Sequence, residues 1–142
     1  MKEASTILLI DDSEAIRELV QTFCAGHLEV RAVGSESEAL EVLQKETFDL
    51  ILLDIELMGS DGFAVMESLQ DNIKREGLPM PPVLALSAHD GSEFISKLIE
   101  AGFAGRVKKP FQKKYLFRYR EPLLIGHLFI VDFYNFFTSF ID

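Results

Sequence analysis

Ile7-Leu8-Leu9-Ile10-Asp11-Asp12 and Leu50-Ile51-Leu52-Leu53-Asp54 decide the fold of this 142-residue chain. Each is a short run of Leu and Ile stopped by acid. Such runs read as strands buried on both faces, with their last residues emerging at one edge of a sheet. If the two strands are parallel neighbours, three carboxylates meet at the carboxyl-terminal edge, where open α/β sheets bind ligands. Clustered carboxylates repel one another unless a cation sits among them, and oxygen-only ligands suit Mg²⁺.

Working outward, Ser13 follows the diacid and caps an expected helix over Glu14 to Ala25, in which Ile16, Leu19, Val20 and Phe23 keep helical spacing. Gly26 fits its end. Val30 to Val33 reads as a second strand. Ser35 and Glu38 suggest a capping box before a second helix carrying Ala39, Leu40, Val42 and Leu43. After the strand that ends at Asp54, Asp61 is an expected N-cap for a helix with Phe63, Val65, Met66 and Leu69. The loop Gly77-Leu78-Pro79-Met80-Pro81-Pro82 cannot be helical. Val83-Leu84-Ala85-Leu86 is a fourth strand stopped by Ser87, residues 91 to 101 a fourth helix, and Phe103 to Lys108 a fifth strand before Lys109. Strands alternating with helices of about ten residues demand parallel strands and right-handed crossovers. The expected fold is α/β, a doubly wound five-stranded parallel sheet with five helices.

The composition is that of one globular domain. A net charge of −9 argues against nucleic acid as a direct partner, since phosphate binding wants a basic face. The single cysteine, Cys24, reads as a buried reduced thiol, which fits a cytoplasmic setting, and the first residues show no signal-peptide pattern. The chain changes character after Pro110. Residues 1–110 hold 20 acids against 10 bases, residues 111–142 three against four, and ten of the fifteen Phe and Tyr lie in that last stretch.

Five polar residues end strands on one side of the expected sheet: Asp11, Asp12, Asp54, Ser87 and Lys109. Each has a role in handling a phosphoryl group. Asp12 and Asp54 suit direct Mg²⁺ binding with Asp11 holding a metal water, an aspartate is a competent nucleophile toward phosphorus, and the lysine and serine suit phosphoryl oxygens.

At these residues the chain resembles the receiver domains of two-component response regulators, with their flavodoxin-like (βα)5 fold. The matching elements are Asp11-Asp12 after the first strand, Asp54 after the third, Ser87 after the fourth and Lys109-Pro110-Phe111 after the fifth, with Asp61-Gly62 at a suitable offset. The resemblance covers roughly residues 5 to 115. It implies Asp54 as phosphoacceptor, taking its phosphoryl group from a phosphohistidine on a histidine kinase or histidine phosphotransfer domain. It implies Mg²⁺ on Asp12, Asp54 and the backbone carbonyl of Glu56, with Asp11 one water away. Ser87 and Lys109 would contact the phosphoryl group, Lys109-Pro110 would be a cis peptide, and the output would be a population shift read through protein contacts. Lys108 fits the lysine position less well.

The chain departs from the family pattern at several places. Met58 stands where proline is common, which loosens that loop without removing chemistry. Arg106 stands where many members carry an aromatic residue, and is expected to make a surface contact instead. Glu56 and His89 flank the site; an exposed loop histidine is the plain reading of His89, and tuning of phosphoryl hydrolysis the other. Residues 1–121 are assigned to the receiver domain and 122–142 to an aromatic extension. A fifth helix is expected to begin over Lys113 to Arg120, with Pro122 breaking or restarting it. Phe129, Phe133, Phe136, Phe137 and Phe140 then recur at helical spacing, so the extension is expected to be helical. Core packing and a homodimer or partner-docking surface are its expected uses, with sequence that makes sense only within a longer parent chain as another reading. A membrane span is disfavoured by His127, Asp132 and Asn135.

Two other functions compete. A Mg²⁺-dependent aspartyl-nucleophile phosphatase typically wants Asp-x-Asp after its first strand, where this chain has Asp11-Asp12-Ser13. A receiver-like scaffold that is never phosphorylated has no need of the intact set of five residues. The expected protein is therefore a phosphoacceptor, not an enzyme in the turnover sense.

Overall fold

The computed structural model describes residues 6–26, 28–57, 61–89 and 91–109, and the backbone of 123–125 and 128–132. The elements run β1 (Thr6–Ile10), α1 (Glu14–Cys24), β2 (Glu29–Val33), α2 (Glu36–Leu43), β3 (Leu50–Asp54), α3 (Gly62–Arg75), β4 (Val83–Ser87), α4 (Ser92–Ala101), β5 (Gly105–Lys108), β6 (Leu123–Ile125) and β7 (Leu128–Asp132). The expected five parallel strands are present in the order β2-β1-β3-β4-β5. The first two runs are indeed neighbours, with Ile7 to Ile10 opposite Leu50 to Leu53.

The apolar runs fill two layers because strand side chains alternate between faces. Leu8, Ile10, Ile51, Leu53 and Ala85 pack toward α2, α3 and α4 through Ala39, Leu43, Val65, Leu69 and Leu98. Ile7, Leu9, Leu50, Leu52, Leu86 and Val107 form the other layer with Val20 and Cys24 of α1. Burial pushes the Cys24 thiol up to about 11, so it stays protonated and inert.

The helix starts follow local chemistry. Ser13 and Ser35 accept from the N–H groups of Ile16 and Glu38, and Asp61 from that of Phe63. The capping box is displaced by one residue: Glu38 Oε2 accepts from the N–H of Gly34 rather than that of Ser35. Gly102, at φ +92°, ends α4 in the left-handed region that suits glycine. Gly62 is required for a different reason. A Cβ there would lie 2.5 Å from the Ile55 Cα, so only glycine lets α3 start against the end of β3.

The sheet does not stop at β5. β7 pairs parallel to β5, Gly105 to Lys108 against Phe129 to Asp132, and β6 pairs antiparallel to β7, giving seven strands among the described residues. This corrects the helical expectation for residues 123–125 and 128–132. The helical spacing of Phe129 with later aromatics is overridden by the β-branched pair Ile130-Val131 and by the unpaired edge that β5 would otherwise present. The fifth helix from Lys113, the 121/122 boundary, the Lys109-Pro110 peptide, Met58 and the remainder of the aromatic stretch lie outside the described residues. Among the described residues, no helix is long and apolar enough to cross a membrane.

Candidate functional site

β1 and β3 deliver their acids side by side because their register is parallel and in step. Asp11 is fully shielded, and its backbone N–H continues the ladder to the Val33 carbonyl. Its Oδ1 accepts from the N–H of Ser13 at 2.9 Å, a short turn that opens α1. Asp54 is almost as buried, and its Oδ1 accepts from the N–H of Glu56 at 3.0 Å. Asp12 is half-buried beside them. One carboxylate oxygen from each of the three lies within 4.8 Å of the others, a donor set of hard oxygens that a small divalent cation fits.

Lys109 closes the site from the residue that follows β5. Its Nζ lies 2.9 Å from Asp11 Oδ2 and 3.2 Å from Asp54 Oδ1, so one ammonium spans both buried acids. Its backbone N–H donates to the Ser87 carbonyl at 2.9 Å, which ties the ends of β4 and β5 together. Ser87 is buried, and its Oγ accepts from the N–H of His89 at 2.9 Å. Asp11, Asp12, Asp54, Ser87 and Lys109 thus lie together at the strand ends. Lys108 is exposed on the preceding position.

Electrostatics follow from this packing. Burial raises the Asp54 carboxyl above its ordinary value and the Asp11 charge adds to that, against the pull of the Glu56 N–H and Lys109. For Lys109, burial works against the charged form, but hydrogen bonds and charges from Asp11 and Asp54 outweigh it, and its pKa is raised. The lysine is held charged beside an acid that is costly to ionise. A further cation would relieve that acid.

At the rim, the Glu56 and His89 side chains meet, Oε1 to Nε2 at 2.8 Å, and both are more than half exposed. The His89 ring also rests against Phe94, with centroids 5.3 Å apart. Two arginines complete the surroundings. Arg17 was not singled out by the sequence; its Nη1 donates to the Asp11 carbonyl at 2.8 Å. The signal was its place one turn into α1, facing back toward the diacid. Arg106 overturns the expected surface contact. It is wholly buried, and its Nη1 donates to the backbone carbonyl of His89.

With this geometry in place, the family is decided by a match of residues 7–119 to the response regulator receiver domain. The chain belongs to that family. This receiver domain is 32% identical over 114 residues to response regulator protein FleR of Pseudomonas aeruginosa, a stretch that is 80% of this chain and 23% of that protein. It is 31% identical over 115 residues to sensor histidine kinase GacS of Pseudomonas protegens, 80% of this chain and 12% of the kinase. It therefore spans less than a quarter of the length of these relatives. Among solved structures, chemotaxis protein CheY4 of Vibrio cholerae matches with a TM-score of 0.68 at 27% identity, covering 82% of this chain and 95% of that one. The receiver domain of histidine kinase CKI1 from Arabidopsis thaliana, complexed with Mg²⁺ and BeF₃⁻, matches at 0.57 and 27%, covering 70% and 76%. The chain is thus a receiver domain of two-component signalling, a family in which phosphorylation and magnesium are typical.

Proposed function

We propose that this domain accepts a phosphoryl group on Asp54 from a phosphohistidine of a histidine kinase or histidine phosphotransfer domain, and signals the change through protein contacts. An Asp54 oxygen attacks phosphorus as the bond to the histidine nitrogen breaks, leaving an acyl phosphate on the chain and a free imidazole on the donor. The observation that carries this is the Lys109 ammonium lying within 3.2 Å of both Asp11 and Asp54. It is positioned to neutralise phosphoryl oxygens arriving at Asp54.

Asp12, Asp54 and the Glu56 backbone carbonyl are the proposed direct ligands of Mg²⁺, with Asp11 one water away. The bound ion supplies charge neutralisation at the phosphoryl oxygens. The three-acid donor set supports this, as does the Mg²⁺ complex of the CKI1 receiver. Ser87 ends the adjacent strand and donates its hydroxyl to a phosphoryl oxygen.

Incubation with Mg²⁺ and acetyl phosphate, followed by intact mass, tests this reading. One labile phosphate on the wild type and none on Asp54→Asn is expected. Continuous release of phosphate from ester substrates instead identifies an aspartyl phosphatase, and no modification by any donor identifies a scaffold.

A further inference from the structure

Arg106 sits in β5 opposite Ala85, wholly shielded from solvent. An interior guanidinium is costly unless its N–H groups find acceptors. Its Nη1 finds one across 17 residues of chain, the backbone carbonyl of His89 in the loop after β4. The N–H of the same residue donates to Ser87 Oγ at 2.9 Å. The connection therefore runs from the guanidinium, through the His89 backbone, to the serine hydroxyl. A hydroxyl has one proton and two lone pairs. With a lone pair taken by the His89 N–H, its O–H is oriented to donate elsewhere. The His89 side chain is 63% exposed, so its burial does not hold this loop still. Its backbone is tied to the interior by the Arg106 guanidinium.

We propose that Arg106 is a positioning residue for phosphoryl transfer: by holding the His89 carbonyl, it fixes the loop whose N–H aims the Ser87 hydroxyl at a phosphoryl group on Asp54. The inference rests on the receiver reading of Asp54 and Ser87 and adds a residue that acts through the loop, not on the phosphorus.

The test compares the wild type, Arg106→Met, Ser87→Ala and the double variant. The measurements are the initial rate of phosphate gain from acetyl phosphate and, with no donor, Mg²⁺ affinity by calorimetry. Arg106→Met should slow the reaction about five- to tenfold with Mg²⁺ affinity changed less than about twofold, because the acids on β1 and β3 hold the ion. In the Ser87→Ala background it should slow the reaction no further than about twofold, as expected for two residues acting on one hydroxyl. Arg106→Lys, which keeps a donor, should recover most of the rate. An unchanged rate in Arg106→Met, equal losses of rate and Mg²⁺ affinity, or losses that multiply in the double variant each overturn the proposal. A wild type that never gains phosphate overturns the receiver reading and this inference with it, whereas a phosphorylated wild type with an indifferent Arg106→Met overturns this inference alone. If Arg106→Met does not fold, amide exchange is compared between the wild type and Arg106→Gln: exchange of the His89 N–H should be at least about fivefold faster in the variant, and an unchanged rate contradicts the tether.

Discussion

The two halves of the sheet edge hold their functional groups by opposite means. On the β1–β3 side each acid is braced from two residues away, Asp11 by the Ser13 N–H and Asp54 by the Glu56 N–H. On the β4–β5 side the braces cross the fold. Lys109 reaches Asp11 over 98 residues, and Arg106 reaches His89 over 17. The first half is a pair of turns that each strand end builds for itself. The second exists only when the sheet is assembled.

Removing the longest brace should give the largest stability effect. Lys109→Met leaves the fully buried Asp11 without its cation, and the cost in metal-free buffer should be about 3 kcal/mol in urea unfolding. Saturating Mg²⁺ should restore part of it; no loss at all in Lys109→Met would mean that the two halves are not coupled through this ammonium.

On the local side, Gly62→Ala forces a Cβ to within 2.5 Å of the Ile55 Cα. Moving α3 away from the end of β3 should cost about 2 kcal/mol, read as a lower urea midpoint. An unaltered midpoint would show that the close approach is relaxed at little cost.

Asp54→Asn should act in the other direction. Because the folded carboxyl is raised above its unfolded value, stability is greatest when Asp54 is protonated in both states and falls as pH rises from the ordinary carboxylate value through the raised one. At neutral pH the charge destabilises the metal-free protein, so the neutral amide should stabilise it, and the advantage should disappear below the ordinary carboxylate range. Thermal unfolding at two pH values measures this, and a less stable Asp54→Asn at neutral pH would show that the Lys109 pairing outweighs burial.

The smallest effect belongs to the rim. Glu56→Gln should change stability by less than about 0.5 kcal/mol, since both members of the Glu56–His89 pair are largely exposed. A larger loss in the same urea assay would make that pair part of the bracing.

The same division explains what could be read from the chain. Asp11 and Asp54 were legible because a buried run stopped by acid carries its own register, and the five parallel strands followed from the alternation of such runs with amphipathic helices. The caps at Ser13, Ser35 and Asp61 were legible for the same local reason. Arg106 was not, because nothing near it in sequence marks a charged residue as interior; its acceptor is a backbone carbonyl in a distant loop. Arg17 escaped notice likewise, its partner being the carbonyl of Asp11 and not the carboxylate. At Leu128–Asp132 the aromatic spacing pointed to a helix, while pairing against β5 made a strand. Edge pairing is a tertiary choice that overrides local periodicity.

Among the three clustered acids, Asp54 is the proposed nucleophile. Borohydride reduces an acyl phosphate to an alcohol, so treating the protein after acetyl phosphate and Mg²⁺ converts the phosphorylated aspartate to homoserine, which peptide mass spectrometry locates. Homoserine at position 54 alone is the predicted result; homoserine at position 11 or 12, or none at any position, would contradict the account.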